Sequence, residues 1–269
     1  MSDYDPMKDA FDSYNVAINA NRARLLMQQC PAAQRVEVIG RCELYLGDCA
    51  EIMPFLNGVD AVLTDPPYGI GEDGGRFRGR KGQNIKVLPN KGWDRQTPDG
   101  SIFDMIREIS NHQIIWGGNY FTDKLPPSKG WLYWQKLMGG DFADGELAWT
   151  SRDRALREFT CCPKGKGGLH PTQKPVEVMG WCLNFLPDAR SILDPFMGSG
   201  TTGVACVQRE LSFIGIERDA DYFSICVDRI RDAHRQSNIL AGLPKPAPAP
   251  VFEYSSIFGD DPSEGLKDG

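Results

Sequence analysis

SILDPFMGSGTTGVACVQRELSFIGIE, residues 191–217, decides the fold. It reads as a strand (SILDPF), a glycine-rich turn (MGSG), a helix (TTGVACVQRE) and a second strand (SFIGIE), with a further helix over 219–231. Short apolar runs bounded by turn residues are the mark of buried strands. Strand–turn–helix–strand–helix is the grammar of a doubly wound, mostly parallel α/β sheet. Just upstream, 175–185 reads as a helix with Pro175 in its first turn.

Working back toward the N-terminus, the runs CELYLGD, DAVLTDPPYG, HQIIWGGN, KGWLYWQK and GELAWTS read as further strands, with helices over 49–56 and 101–109 between them. Residues 1–35 form a polar, helical extension, and 36–240 the catalytic domain. From 241 onward GLPKPAPAPVF and an acidic end read as a Pro-rich linker and mobile tail. No apolar run reaches the ~18 residues of a membrane span, and no leader pattern opens the chain. A cytoplasmic protein is expected. The eight cysteines form no C-x-x-C pair and there are three histidines, so no metal is expected.

Net charge is −6, against a protein that coats nucleic acid without selectivity. One stretch departs from that balance. Arg76, Arg78, Arg80, Lys81, Lys86, Lys91 and Arg95 are opposed only by Asp94. Such density by itself describes a solvated loop.

Two segments carry chemistry. In the first, Asp194, Phe196, Gly198, Ser199, Gly200, Thr201 and Thr202 form a turn where missing Cβ atoms let a ligand approach the backbone. Glu217, ending the next strand, suits the two hydroxyls of a ribose. The spacing is neither the dinucleotide G-x-G-x-x-G nor a phosphate-loop G-K-[ST]. In the second, Asp65, Pro66, Pro67 and Tyr68 end a strand. Two prolines remove two N–H donors and leave acceptors. The exocyclic amine of a base has its lone pair delocalised into the ring. Hydrogen bonds to the Asp65 carboxylate and the Pro66 carbonyl would make it nucleophilic, and Tyr68 offers a ring for stacking the extruded base.

DPPY with DPFMGSGTT resembles the amino-methyltransferases of DNA, over about residues 41–231. The catalytic segment precedes the glycine turn, an order similar to the circularly permuted beta class. HPTQKP, 170–175, resembles that class's segment before the cofactor strand. The resemblance implies S-adenosylmethionine as methyl donor, with Thr172 and Lys174 near its methionine carboxylate and Asp48 at its adenine. It also implies a seven-stranded mixed sheet, double-stranded DNA as partner, N6 of a flipped adenine as target, and a homodimer as one assembly. Cytosine-N4 enzymes of this type more often carry Ser where Asp65 stands. Related enzymes acting on RNA or protein glutamine place the cofactor segment first. A non-enzymatic nucleotide-binding descendant would have no need of both segments. The stretch 151–169 is too short for the recognition domain common in the beta class, so recognition is expected on the basic segment 71–95. Trp116–Phe121 reads as a strand end with core aromatics rather than a pocket wall.

Overall fold

The computed structural model describes residues 6–71, 75–76, 87–88, 92, 94–137, 143–162 and 174–241. The chain opens with helix α1 (Pro6–Gln29) and the hairpin of β1 (Arg35–Ile39) and β2 (Cys42–Leu46). Helix α2 (Cys49–Ile52) and a 3-10 turn, Met53–Phe55, lead into β3 (Val59–Thr64). The two-residue strands β4 (Gly75–Arg76) and β5 (Val87–Leu88) pair antiparallel with each other, apart from the main sheet. Next come α3 (Gly100–Ile109), β6 (Ser110–Trp116), β7 (Trp131–Gln135), β8 (Gly145–Thr150) and β9 (Arg157–Thr160). The βαβ unit follows as α4 (Val176–Leu183), β10 (Ser191–Asp194), α5 (Thr201–Val207), β11 (Ser212–Glu217) and α6 (Ala220–Ala241).

Among the described residues, nine strands make one sheet in the order β1-β2-β11-β10-β3-β6-β8-β7-β9. The run β2, β11, β10, β3, β6 is parallel throughout. Around β8 the pairings turn antiparallel, and β9 lies parallel to β7. The expected seven strands are the central ones, β2 to β7. The sheet adds β1 and β9 at its two edges. Strand β9 is hard to read in sequence, being four largely exposed residues, REFT, while β1, RVEVI, alternates with its apolar residues buried.

Alternation along the strands builds two cores. Ile192, Ala61, Leu63, Ile114 and Phe213 face one side, under α4, α5 and α6. Leu193, Val62, Ile115 and Ile216 face the other, with Ile102, Phe103 and Ile106 of α3. Strands buried on both faces lose the polar–apolar alternation and read as continuous apolar runs, which is why β3 and β10 stand out in the sequence.

The topology sets catalytic strand β3 directly beside cofactor strand β10, with Leu193 opposite Val62. The carboxyl ends of β3, β10, β11 and β2 therefore open onto one edge, the location where open α/β sheets bind ligands.

Candidate active site

At that edge lies a cavity of about 1220 Å³, lined by both predicted segments. Ligand sites usually run ~300–1,000 Å³, so this one has room for two ligands side by side. Asp48, Asp65, Pro66, Pro67, Tyr68, Lys174, Asp194, Phe196, Gly198, Ser199, Thr201, Thr202 and Glu217 all line it. Gly200 sits beneath, and Thr172 lies outside the described residues.

The glycine turn is held from three sides. Asp194, only 2% exposed, accepts the Thr64 hydroxyl and the Phe196 N–H on Oδ1 and the Thr202 hydroxyl on Oδ2. Its carboxylate is committed to shaping the turn, and burial pushes its pKa up to about 6. Arg229 reaches from α6 to the Ser199 Oγ at 2.8 Å. Gly200, at φ +82°, caps α5, where a Cβ would lie 2.4 Å from the Cys226 sulfur. No residue with a side chain fits there without displacing α6.

Glu217 accepts the Gly198 N–H at 2.9 Å on Oε2 and the Asp219 N–H at 2.8 Å on Oε1. Burial raises its pKa to about 7. Each oxygen keeps a lone pair for a hydroxyl donor. Asp48 caps α2 through the Ala50 N–H and stands exposed on the opposite rim. A turn with glycine at 198 and 200, a carboxylate with free lone pairs at Glu217 and a wall rich in carboxylates fit the adenosyl group and sulfonium charge of S-adenosylmethionine.

Beyond β3, Asp65 Oδ1 accepts the Tyr68 hydroxyl at 2.5 Å, and Oδ2 pairs with Lys174 Nζ at 2.5 Å. Lys174 also donates to the Tyr68 oxygen at 2.9 Å and pairs with Glu146 Oε2 at 2.8 Å. Glu146 in turn pairs with Lys136. Burial raises the pKa of Asp65 despite Lys174 beside it. Burial opposes the Lys174 charge, yet Asp65 and Glu146 outweigh it and its pKa rises. Burial likewise opposes the Glu146 charge, and Lys174 and Lys136 override it, bringing Glu146 down to about 2. Lys174, expected near a methionine carboxylate, lines the same cavity as the glycine turn and is ion-paired with Asp65 and Glu146. In this structure its ammonium serves Asp65, because a nearly buried cation must keep a carboxylate partner.

The ring of Tyr68 is itself partly covered. Its ring already stacks on Tyr120, centroids 4.8 Å apart and planes at 13°. On another side it abuts Gly117, where a Cβ would lie 2.1 Å from Cε1. A base stacking on the covered face therefore displaces Tyr120, which is 42% exposed. Within 116–121, Trp116 and Phe121 are core, while Asn119 and Tyr120 line the cavity. Lys136 and Glu146 join the site without having been expected from the sequence, and Tyr120 joins it from the segment read as core in preference to pocket wall. The available signal was two charges placed on otherwise apolar strand segments, WLYWQK and GELAWT.

Of the basic segment, Arg76 lies on β4 and Arg95 is exposed at the cavity rim. Arg78, Arg80, Lys81, Lys86 and Lys91 fall outside the described residues. The segment's root is fixed by Asp94, whose carboxylate accepts the Gly69 N–H at 2.8 Å and whose carbonyl accepts the Gly71 N–H at 2.9 Å. Among the described residues no helix is long and apolar enough to cross a membrane, and no cluster of His, Cys, Asp and Glu could hold a metal.

A family model for the N6/N4 methyltransferases, described as DNA methylase, matches residues 113–228. The Type II methyltransferase M2.MboI of Moraxella bovis is 25% identical over 242 residues, 70% of this chain and 87% of that protein. M2.LlaDCHI of Lactococcus lactis subsp. cremoris is 30% identical over 149 residues, 55% of this chain and about half, 52%, of that protein. Among solved structures, the M1.HpyAVI–SAM complex is 22% identical with a TM-score of 0.49, covering 70% of this chain and 98% of that one. By the family match over residues 113–228 and the two sequence relatives, the chain is similar to the N6/N4 DNA amino-methyltransferases.

Proposed function

We propose that this protein methylates N6 of an adenine turned out of double-stranded DNA. The observation that carries the reading is the adjacency of two half-sites: the Asp65 carboxylate at the end of β3 and the Glu217-bounded glycine turn after β10 share one cavity. The cofactor, when bound, supplies an electrophilic methyl on a sulfonium. All other contributions come from the chain.

With the cofactor bound, Glu217 would accept the ribose hydroxyls and the turn from Phe196 to Gly200 would hold the adenosyl group. Asp65 and the Pro66 carbonyl accept the two N6 hydrogens, drawing the lone pair out of the ring. Alignment of that lone pair with the methyl carbon then lowers the barrier by positioning and electrostatics, without a covalent enzyme adduct. Nitrogen gains the methyl carbon as the carbon–sulfur bond breaks, and it then releases one proton. Asp65, its basicity raised by burial, is placed to receive it. A carboxylate at position 65 favours adenine over cytosine by the resemblance of the DPPY segment. The basic residues from Arg76 to Arg95 supply phosphate contacts beside the cavity mouth.

Incubation of the full chain with tritiated S-adenosylmethionine and genomic DNA, followed by nucleoside analysis, tests this. N6-methyladenine is expected, at a rate at least about 100-fold lower in Asp65→Ala, in line with the loss of one preorganised polar group. Label in N4-methylcytosine would move the target base. Undiminished methylation by Asp65→Ala would overturn the mechanism.

A further inference from the structure

In the free protein the Asp65 carboxylate is already taken twice, by the Tyr68 hydroxyl on one oxygen and by Lys174 on the other. To polarise an amine, the carboxylate must give up part of one of these bonds. The Lys174 side chain is 3% exposed, with its ammonium over the rings of Trp116 and Tyr68 at 5.1 and 5.4 Å. Water is not at hand to replace a departing carboxylate, and an unpaired buried cation is costly. The charge therefore leaves Asp65 only if a second anion stands within reach.

Glu146, on β8 one strand beyond β6, is that anion. Its Oε2 lies 2.8 Å from Nζ, and its Oε1 is fixed by Lys136 just beyond β7. We propose that Glu146 is a positioning residue: it takes over the ammonium of Lys174 when the target amine engages Asp65. The proposal rests on the reading of Asp65 as the group that grips the amine. Two carboxylates and two ammoniums make the cluster neutral. Removing the Glu146 charge leaves one cation in excess, with Lys174 tied to Asp65 alone.

Groups facing Asp65 are Tyr68 from the same turn, Lys174 ahead of α4, Glu146 on β8 and Asp194 on β10, with Lys136 behind Glu146. Of these, Glu146 pushes the Asp65 pKa up and Lys174 pulls it down. Neutralising Glu146 therefore moves the ionisation of Asp65 to lower pH while weakening its hold on the base.

The test is Glu146→Gln, with turnover measured against pH at saturating cofactor and DNA. Saturation removes from the profile groups that act only in cofactor capture. Expected are a plateau lowered up to about 100-fold, the scale of a small misplacement, an acid limb displaced downward, and a cofactor KM within about twofold of the parent. A lowered plateau with an unmoved limb would leave Glu146 a packing role and overturn the proposal, as would parental turnover. Should Glu146→Gln not fold, Lys136→Gln gives the converse reading: the limb moves upward, and a limb that stays or moves down overturns it. Full activity of Asp65→Ala would instead strike the reading of Asp65, a separate result.

Discussion

The hydroxyl of Thr64 donates to Oδ1 of Asp194 at 2.7 Å, joining the last residue of the catalytic strand to the last residue of the cofactor strand. The two are 130 positions apart in the chain. This bond and its companions from Phe196 and Thr202 keep a buried carboxyl at the seam of the two half-sites. Its pKa of about 6 lies above the ordinary carboxylate value near 3.8. A carboxyl held more readily as the acid stabilises the fold fully below its unfolded pKa, and that contribution is lost as pH rises through 6. The size is about 3 kcal/mol. Asn at 194 can keep all three bonds: the amide oxygen accepts from Phe196 and Thr64, and the amide nitrogen donates to Thr202. Urea unfolding of Asp194→Asn and the parent should show the variant gaining about 3 kcal/mol relative to the parent between pH 4 and 7. A difference that does not change with pH would mean that Asp194 is ionised throughout.

Glu217 gives a prediction for cofactor capture. Raised by burial to about 7, it is largely protonated in the free protein at pH 6 and ionised at pH 8. Ribose hydroxyls donate best to the ionised form. Calorimetric titration with S-adenosylmethionine should show the Kd tightening about tenfold from pH 6 to 8. Glu217→Gln should bind more weakly, with a flat profile. A flat profile in the parent would remove Glu217 from the ribose.

Gly117 makes room for Tyr68. At φ +69°, with a Cβ position 2.1 Å from the tyrosine ring, alanine is refused by both backbone and neighbour. Gly117→Ala should cost about 1–3 kcal/mol in stability. It should lower turnover about 10- to 100-fold by tilting the ring from Asp65 and Lys174, while cofactor affinity is retained. Equal losses in affinity and turnover would point to general unfolding.

For the DNA face, replacing Arg76, Arg78, Arg80 and Lys81 together by Ala should weaken DNA binding. The slope of log K against log salt should fall by about one for each phosphate that the variant no longer neutralises. An unchanged slope would put the interface elsewhere on the protein.

The parts of the fold that proved legible were those where physics is local. DPFMGSGTT must be a tight turn from strand to helix, and apolar runs such as AVLT and SILD must be strands buried on both faces. Strand β9 escaped because it buries little and leaves a weak pattern, whereas β1, with Val36, Val38 and Ile39 buried, lies beside the turn at Gly40 and Arg41 and was passed over. In the site, residues clustered along the chain were found, while Glu146 and Lys136 were not, and Tyr120 was read as core. Glu146 and Tyr120 meet Tyr68, and Lys136 meets Glu146, only through the tertiary fold that brings distant segments together. A charge on an apolar strand segment marks Lys136 and Glu146 in the sequence, but not their partners. The place of Lys174 shows the converse limit. Its segment was recognised, but the partner of its charge is decided by burial and by which carboxylates the sheet brings near.

Asp94 holds Gly69 with its carboxylate and Gly71 with its carbonyl, so the chain that leaves the catalytic turn returns to the same spot on the rim. These two bonds fix the ends of the segment next to the turn that carries Asp65 and Tyr68. On the proposal that the basic segment contacts DNA, exchanging it is expected to change target preference while leaving the reaction centre unretuned.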